Sequence, residues 1–530
     1  IPVQPEPASK LEQQFQQYVV SRRPEAVQAA LAYTCSFGTG IYQPEQVNAT
    51  PPNERTCLGH KETVYGLTFS PDNAEYMATA SQDATVRIWN TATHTLEHTL
   101  EGHSKENEVL RVAWASSAWA SRDLKRGPKQ HQHLIASGGA DGVVKVWSLS
   151  SDAAGSAKWK CVATLDHSSL ELRPKPATND GSEPDPPQIY GLQFIDDWKG
   201  VGGGGCNDDS HTNSFLLTSS EDFVHLWEIE NVQNGKVFFI EVLSIRFTSL
   251  YDVGYGVSLF PVTSNGIDIT SNKENMDAAA APQTIDLSNP VDPATVLNPE
   301  QEQNQPFGGE RNPENIIFVF DVSYCPANGI TGVALSDGSL RLVNGRGVAV
   351  AALTLPGCQS HLTSLAWDST GNRLASCVAT GHVILWDLHL GTADSHEWRP
   401  SCRAVLEGGH TLGRPLYGAK YCGEGNLILS WGADGKICLW DAHSLGNIQA
   451  PISVLLSKPD YPFFAVDVAT KTTSNVGKSA DAKNSNEKSD GDGYSVMVGA
   501  GGGREGGFLG LPTYIYDVKP VESRAVKKTE

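Results

Sequence analysis

Four kinds of polar side chain recur along this chain at fixed offsets. In one segment they are His60, Thr79, Asp83 and Trp89, and the aspartate stands six residues before the tryptophan. Histidine, hydroxyl and carboxylate groups are also the parts of nucleophilic catalytic sites, but the chain has no nucleophile elbow and no His-Glu-x-x-His motif. The recurring offsets instead predict a buried network in which each polar group satisfies the next.

The same set recurs in two further segments with the same spacing between aspartate and tryptophan. These two copies consist of His103, Ser137, Asp141 and Trp147, and of His410, Ser430, Asp434 and Trp440. Because the offsets coincide in three separate places, the sequence contains an internal repeat, and the repeat is the strongest guide to the fold.

Three more copies depart from this pattern. In one, Asp222 stands only five residues before Trp227; a second ends at Trp386 and has threonine in the aspartate position; a third keeps Asp337 but has Val343 in the tryptophan position. The histidines upstream of the five tryptophans are His60, His103, His167, His361 and His410. The network is expected to bury all of these histidines.

The residues around each network aspartate indicate which elements position it. Asp-Gly and Glu-Asp turns join alternating β-branched runs, as in GADGVVKVW and GADGKICLW, a pattern typical of tight β-hairpins. Here the chain resembles the WD40-repeat family, whose Gly-His and Trp-Asp dipeptides recur in the blades of a β-propeller. The matching dipeptides are Gly59-His60, Gly102-His103, Gly409-His410, Trp386-Asp387 and Trp440-Asp441.

The resemblance implies an all-β fold: a seven-bladed WD40-type β-propeller with a short helical N-terminal extension and long loop insertions. The expected boundaries are 1–33 for the extension, 34–518 for the propeller and 519–530 for a C-terminal tail. The expected insertions lie at about 116–133, 172–213, 265–315 and 471–493. The seven blades include the weak copy at Ile330 to Val343 and a last blade that ends at Thr513 to Val518.

The N-terminal segment differs in kind from the repeats. Ser9 to Glu12 has the pattern of a helix capping box, and a second short helix can begin at Pro24. These helices are expected either to pack on the side of the propeller or to serve docking or dimerisation. Residues 34–42 are expected to supply the outer strand that closes the ring and covers a free sheet edge.

Composition limits the classes of function. The net charge of −20 and pI of about 5.2 argue against direct nucleic-acid binding and favour a partner of basic character. The ten cysteines form no Cys-x-x-Cys pair, and no apolar run is long enough to span a membrane. We expect an intracellular protein, cytoplasmic or nuclear or both, with no metal site, no cofactor and no membrane insertion.

The candidate binding residues follow the repeat histidines. Three copies read apolar-Tyr-Gly, at Tyr65, Tyr190 and Tyr417. In propellers of the resembled family this strand entry lies on the face where partner segments dock, and the glycine leaves room for close approach. Tyrosine is also simply a good strand former, so the alternative is a structural role. The corresponding positions in other copies are Leu110, Thr331 and Thr363.

Turn residues before the network aspartates are expected on the same face. Most of them are small, but Gln82 and Glu221, together with the three tyrosines, would suit an extended, basic peptide. We therefore expect a non-catalytic protein-protein interaction scaffold in an intracellular multiprotein assembly. The alternative is a substrate-recruiting subunit of a ubiquitin ligase or a chromatin-modifying complex. Against the ligase, His389 and His443 stand where the Trp-Asp-x-Arg box of cullin-binding WD40 proteins has arginine.

Overall fold

The computed structural model describes most of the repeat region. Its described residues are 54–71, 74–116, 133–151, 157–169, 186–196, 198–199, 214–233, 236–247, 258–261, 317–347, 349–353, 360–389, 399–422, 425–444, 446–448, 450–459, 461–472, 494–503 and 513–518. Regular structure in these ranges is β-strand, apart from one 3-10 turn at His167–Ser169. The all-β class follows from runs of alternating and β-branched residues bounded by glycine turns.

The first three sheets each use consecutive strands and are called blades 1 to 3. Blade 1 contains β2 (Val64–Phe69), β3 (Tyr76–Ser81), β4 (Thr85–Asn90) and β5 (Leu96–Glu101). Blade 2 contains β6 (Val109–Trp114), β7 (His133–Gly139), β8 (Val143–Ser151) and β9 (Ala157–Asp166). Blade 3 contains β10 (Ile189–Ile195), β11 (Phe215–Ser220), β12 (Phe223–Gln233), β13 (Lys236–Arg246) and β14 (Ser258–Pro261).

Three more blades follow in chain order. Blade 4 contains β15 (Val319–Cys325), β16 (Ile330–Leu335), β17 (Leu340–Asn344) and β18 (Ala349–Leu353). Blade 5 contains β19 (Leu362–Trp367), β20 (Arg373–Val378), β21 (Val383–His389) and β22 (Arg399–Leu406). Blade 6 contains β23 (Leu416–Cys422), β24 (Leu427–Gly432), β25 (Lys436–Asp441) and β27 (Ser453–Ser457), and its β26 (Gly446–Ile448) instead pairs in parallel with β22 of blade 5.

The last sheet has a different construction. It combines β28 (Phe463–Thr472), β29 (Tyr494–Gly502) and β30 (Thr513–Val518) with β1 (Glu54–Cys57), the first described strand. We call it the closing sheet. β1 pairs with β30 in antiparallel register, from Glu54 opposite Tyr516 to Cys57 opposite Thr513. This pairing joins distant parts of the chain. The closing sheet itself packs through β28 against β23 of blade 6 and β2 of blade 1.

The predicted architecture, seven WD40-type blades behind a helical N-terminal extension, is wrong in that form. Six blades each come from a consecutive stretch of chain, whereas the closing sheet is a composite that lacks the repeat tryptophan. The strand that closes the ring is β1, not residues 34–42. No α-helix occurs among the described residues, and the extension predicted at 1–33 lies outside them.

The insertion boundaries are also revised. The segment 172–213, predicted to be one insertion, contains β10, the innermost strand of blade 3. Residues 117–132, 262–316 and 473–493, which make up most of the other three predicted insertions, lie outside the described part of the chain, as does the tail at 519–530.

The hydrophobic core lies between sheets, with one apolar cluster at each joint of the ring. At the joint of blades 5 and 6, for example, Leu385 and Leu406 pack with Ile428 and Trp440. At the last joint, Ala465 of the closing sheet packs with Met77 and Trp89 of blade 1. Because each sheet buries both faces against its neighbours, damage to one blade exposes part of two others.

Polar side chains also fasten neighbouring sheets near the centre. Asp467 of the closing sheet accepts the backbone N–H of Phe69 in blade 1 at 2.8 Å. Asp321 of blade 4 accepts the N–H of Leu365 in blade 5 at the same distance. Such carboxylates satisfy buried backbone donors that no strand partner reaches, which fixes the relative height of the blades.

Candidate functional site

Three copies of the predicted network form the same hydrogen bonds. In blade 1, His60 Nε2 lies 2.7 Å from Thr79 Oγ1, Trp89 Nε1 donates to that hydroxyl at 2.8 Å, and His60 Nδ1 lies 2.9 Å from Asp83 Oδ2. The aspartate also accepts the backbone N–H of Lys61 at 3.2 Å. The network therefore ties the loop before the blade to the turn inside it.

The other two complete copies have the same geometry. His103 lies 3.0 Å from Asp141 and 2.8 Å from Ser137, which accepts the indole N–H of Trp147 at 2.9 Å. His410 lies 3.1 Å from Asp434 and 2.7 Å from Ser430, which accepts the indole N–H of Trp440 at 2.8 Å. All three histidines are buried.

The network aspartates remain ionised to low pH. Burial alone would raise the pKa of Asp83, but hydrogen bonds from His60, Thr85 and the Lys61 N–H outweigh burial and hold the pKa well below its usual range. The pKa values of Asp141 and Asp434 are lowered in the same way, by bonds from His103 and His410. Each network therefore carries a fixed negative charge near the turn of its blade.

Blade 3 replaces the network aspartate with a different set of groups. His167 Nδ1 bonds to Ser220 Oγ at 3.0 Å, and Asp222 is turned to Arg246, at 2.9 Å. His225 lies between Ser220, at 3.5 Å, and Glu241. These types also occur in hydrolytic triads, but Ser220, His225 and Glu241 are all buried, so a substrate cannot reach the hydroxyl.

Blade 5 contradicts the expected burial of all five histidines. His361 is exposed, and its Nδ1 contacts the carbonyl oxygen of Ser336. The buried histidine of this blade is His382, which lies 2.9 Å from Thr380, the substitute for the aspartate. Trp386 still donates to Ser376, at 2.9 Å. In blade 4, the fully buried Arg341 pairs with Asp337 at 3.3 Å.

The candidate binding residues lie at a β-bulge near the start of each innermost strand. In blade 1, pairing with β3 passes from Val64 directly to Gly66, so Tyr65 is left out of register. The same irregularity occurs in every sheet of the ring, and a bulge re-aims the side chain it carries. The bulged residues are Tyr65, Leu110, Tyr190, Phe320, Thr363, Tyr417 and Phe464.

A second tier of residues stands two positions before each bulge. In blade 1, the backbone N–H of Gln82 donates to the carbonyl oxygen of Thr63 at 2.8 Å, and in blade 2 Ala140 donates to Glu108 at 2.8 Å. The same bond recurs in blades 4, 5 and 6 and in the closing sheet. The second-tier residues are Thr63, Glu108, Gln188, Phe318, His361, Pro415 and Pro462. We call the two tiers together the rim.

The rim is largely aromatic. Tyr65 and Tyr417 both contact Phe464, with ring centroids 5.1 Å and 4.5 Å apart. Across the ring, Phe320 contacts Tyr190 at 5.7 Å and His361 at 5.7 Å. Leu110 and Thr363 stand between these two groups, in blades 2 and 5. Aromatic side chains that are only half-buried at one face are typical of protein-binding surfaces.

Two rim positions differ from the sequence prediction. The sequence pattern predicts Thr331 as the counterpart of the tyrosines in blade 4, but Thr331 is buried in β16, and the bulged residue of that blade is Phe320. The pattern does not predict Phe464. Blade 4 and the closing sheet have no repeat tryptophan, so only the apolar runs VFDV and FFAV pointed to their innermost strands.

The glycines after the three tyrosines face the protein itself. A Cβ on Gly418 would lie 2.0 Å from Trp431 Cζ2, and one on Gly191 would lie 2.3 Å from Val322 Cγ1 in the next blade. A Cβ on Gly66 would lie 3.1 Å from the backbone nitrogen of Val112. The space is therefore used for packing rather than for a ligand.

The predicted turn residues also lie by the rim. Gln82 Nε2 donates to Glu108 Oε1 at 3.4 Å, which places it between blades 1 and 2. Glu221 has a left-handed backbone with a φ of 50°, and its carbonyl oxygen accepts the N–H of Val319 at 2.6 Å. This bond ties the blade 3 turn to the start of β15.

Within the described residues, no group of three or more His, Cys, Asp or Glu side chains is arranged to hold a metal ion. In the same residues, no helix has the length and hydropathy needed to cross a bilayer.

Known proteins share the repeats of this chain. The sequence model of the WD40 family, described as WD domain, G-beta repeat, matches residues 52–90, 94–148 and 351–387. Mouse coronin-7 is 38% identical over 71 residues, which are 13% of this chain and 7% of coronin-7. Ribosome assembly protein 4 of Saccharomyces cerevisiae is 38% identical over 80 residues, 14% of this chain and 15% of that protein.

A longer match covers about two thirds of the chain. The guanine nucleotide-binding protein subunit beta of Nicotiana tabacum is 24% identical over 382 residues, which are 68% of this chain and 80% of that protein. Of coronin-7 and ribosome assembly protein 4, by contrast, the chain spans only the small shares given above. Together, the matched repeats and the hydrogen-bonded His, Ser or Thr, Asp and Trp sets show that this chain contains WD40 repeats.

Proposed function

We propose that this protein is a non-catalytic protein-protein interaction scaffold that docks partner proteins at the rim, within an intracellular multiprotein assembly. The observation that carries the proposal is the β-bulge in every sheet, which directs a side chain to the same face. Five of the seven bulged side chains are aromatic: Tyr65, Tyr190, Phe320, Tyr417 and Phe464. WD40 propellers are in general protein-interaction scaffolds.

The rim has the physical properties that a docking surface needs. Tyr65, Tyr190 and Tyr417 are half-buried, so part of each side chain is packed in the fold and part is exposed to solvent. Phe318 in the second tier is 38% exposed, although it is a large apolar side chain. A few such aromatic anchors supply most of the binding free energy of a typical interface.

The buried Ser220, His225 and Glu241 support a non-catalytic role, since they have the residue types of a hydrolytic site without access for a substrate. Among the relatives, the names ribosome assembly protein 4 and guanine nucleotide-binding protein subunit beta describe members of larger assemblies. That description is consistent with a scaffold.

The test is affinity purification of the full chain with chemical cross-linking, beside a variant carrying Tyr65→Ala, Tyr190→Ala and Tyr417→Ala. Loss of rim aromatics is expected to lower partner recovery, since anchors of this kind contribute about 2 kcal/mol or more each. The matched control is Tyr76→Ala, because Tyr76 is also half-buried but begins β3 at the opposite end of blade 1.

The outcomes separate the alternatives. A stoichiometric assembly with cross-links near the rim, lost in the triple variant and kept in the control, supports the scaffold. Co-purification of a cullin adaptor or of a histone-modifying subunit favours a recruiting subunit instead. Unchanged recovery with the triple variant would exclude the rim as the docking surface.

A further inference from the structure

We propose that the partner segment places a lysine or arginine side chain against Glu108, between Tyr65 and Tyr190. The inference rests on the proposed function, because it names the chemistry that is recognised at the same rim.

Glu108 stands at the second tier of blade 2, with an aromatic residue on each side. β6 packs against both β2 and β10, so the bulged tyrosines of blades 1 and 3 flank the start of β6. The bulged residue of blade 2 itself is Leu110, which is buried and apolar. The carboxylate of Glu108 therefore lies at the start of the strand between those that carry Tyr65 and Tyr190.

No described basic side chain forms an ion pair with the carboxylate of Glu108. Its hydrogen bond from Gln82 is long, at 3.4 Å. Two basic side chains lie three residues from Glu108 in the sequence. Lys105 is exposed and forms no ion pair with Glu108. Arg111 is held elsewhere, since its Nε donates to the carbonyl oxygen of Tyr190 at 2.6 Å and its Nη1 to that of Leu110 at 3.3 Å. Burial lowers the pKa of Arg111, and the carboxylate of Asp321 in blade 4 opposes that shift.

The carboxylate of Glu108 contributes to raising the pKa of both tyrosines. Burial raises the pKa of Tyr65 to about 12, with Glu108 as the next contribution and Glu62 as a smaller one. Burial also raises the pKa of Tyr190, where Arg111 opposes and Glu108 adds to the shift. The position therefore has a negative electrostatic potential as well as aromatic side chains.

A position with aromatic side chains and a negative electrostatic potential favours binding of a cation. An ammonium or guanidinium group is attracted to the faces of tyrosine rings and forms a charge-assisted hydrogen bond with a carboxylate. An acidic side chain would be repelled by Glu108 and Glu62, and the net charge of −20 repels acidic segments at longer range. A lysine or arginine satisfies all of these groups at once.

The probe is a library of phage-displayed random dodecapeptides selected on the immobilised full chain. We expect selection to enrich lysine or arginine at one aligned position. For a synthetic copy of a selected peptide, Glu108→Gln is expected to weaken binding about tenfold, which corresponds to about 1.4 kcal/mol. The control is Glu97→Gln, which changes an exposed glutamate on β5, on the outer edge of blade 1.

The results distinguish this inference from the proposed function. The selected peptides could require the three tyrosines for binding and yet have no conserved basic position, or bind Glu108→Gln as tightly as the parent. Either result would overturn the role of Glu108 and leave docking at the rim intact. Selection that yields no peptides, or only peptides bound equally by the tyrosine variant, would count against both. Glu108→Gln keeps the volume of the side chain and is therefore expected to fold normally. The urea unfolding midpoint of each variant checks this.

Discussion

Trp440 donates its indole N–H to Ser430 Oγ at 2.8 Å, and both residues are buried. The Trp440 ring also packs in the apolar cluster between blades 5 and 6. Trp440→Ala should therefore destabilise the protein by about 3 to 5 kcal/mol, since it removes a large buried ring and leaves Ser430 with one partner fewer. Urea unfolding followed by fluorescence measures the change.

Trp440→Phe serves as the comparison for that variant. It keeps an aromatic ring in the cluster but removes the indole N–H, so its cost should be smaller, about 1 to 3 kcal/mol. If Trp440→Ala unfolds within about 1 kcal/mol of the parent, the tryptophan does not hold the two blades together.

Gly418→Ala tests whether the glycines after the tyrosines serve packing. The new Cβ would lie 2.0 Å from Trp431 Cζ2, so the tryptophan must move. We expect a loss of about 1 to 3 kcal/mol in the free energy of unfolding, the usual cost of overpacking. Affinity for a rim-binding peptide, measured on the folded variant, should stay the same. A loss of affinity with unchanged stability would mean that the glycine faces the partner.

The buried histidines predict a loss of stability in mild acid. Burial lowers the pKa of His167 well below its usual value, with the nearby His225 adding to the effect, and burial lowers the pKa of His60. The unfolded chain therefore takes up protons first as the pH falls below about 6.5. The stabilisation is complete above that pH and is lost as the pH falls toward the folded-state pKa values.

The measurement is the urea midpoint between about pH 7.5 and about pH 5.5. We expect the midpoint to fall with pH in the parent and to fall less steeply in His167→Gln. His98→Gln, a change on the outer strand β5, should keep the slope of the parent. An equal slope in the His167 variant would remove this histidine as a source of the pH dependence.

The predicted insertion at 265–315 should be dispensable for folding. Its sequence is acidic, contains prolines and has few large apolar residues. Replacement by a short Gly-Ser linker should change the loop-closure free energy by about 1 kcal/mol or less. Thermal melting and the soluble yield of the deletion variant check this. An insoluble product would mean that the segment packs against the ring.

The sequence predicts most of the network because the network residues recur at fixed distances from one another along the chain. His60, Thr79, Asp83 and Trp89 can be found from spacing, and their hydrogen bonds follow from their chemistry. The spacing does not predict a network residue when a residue at a different position contributes the buried histidine or carboxylate instead. In blade 5 the buried histidine is His382, which contacts Thr380, whereas His361 is exposed. In blade 3, Glu241 contacts His225 from a different strand. Neither replacement lies at a repeat offset.

The rim was predicted only in part for a similar reason. Tyr65, Tyr190 and Tyr417 follow repeat histidines, so the pattern leads to them. Phe320 and Phe464 belong to sheets without the repeat tryptophan, and only the pairing register reveals that they occupy the same bulge. β1 could not be recognised from its four residues, because its place depends on a partner strand far along the chain.

The pairing of β1 with β30 has a consequence for synthesis of the protein. β1 leaves the ribosome before any blade and can find its partner only after β30 has emerged. Until then, the nascent chain keeps an unpaired strand and an open edge, both of which invite contacts with other chains. The antiparallel hydrogen bonds from Glu54 to Cys57 therefore form late in synthesis, and the nascent chain should need chaperones most just before they form.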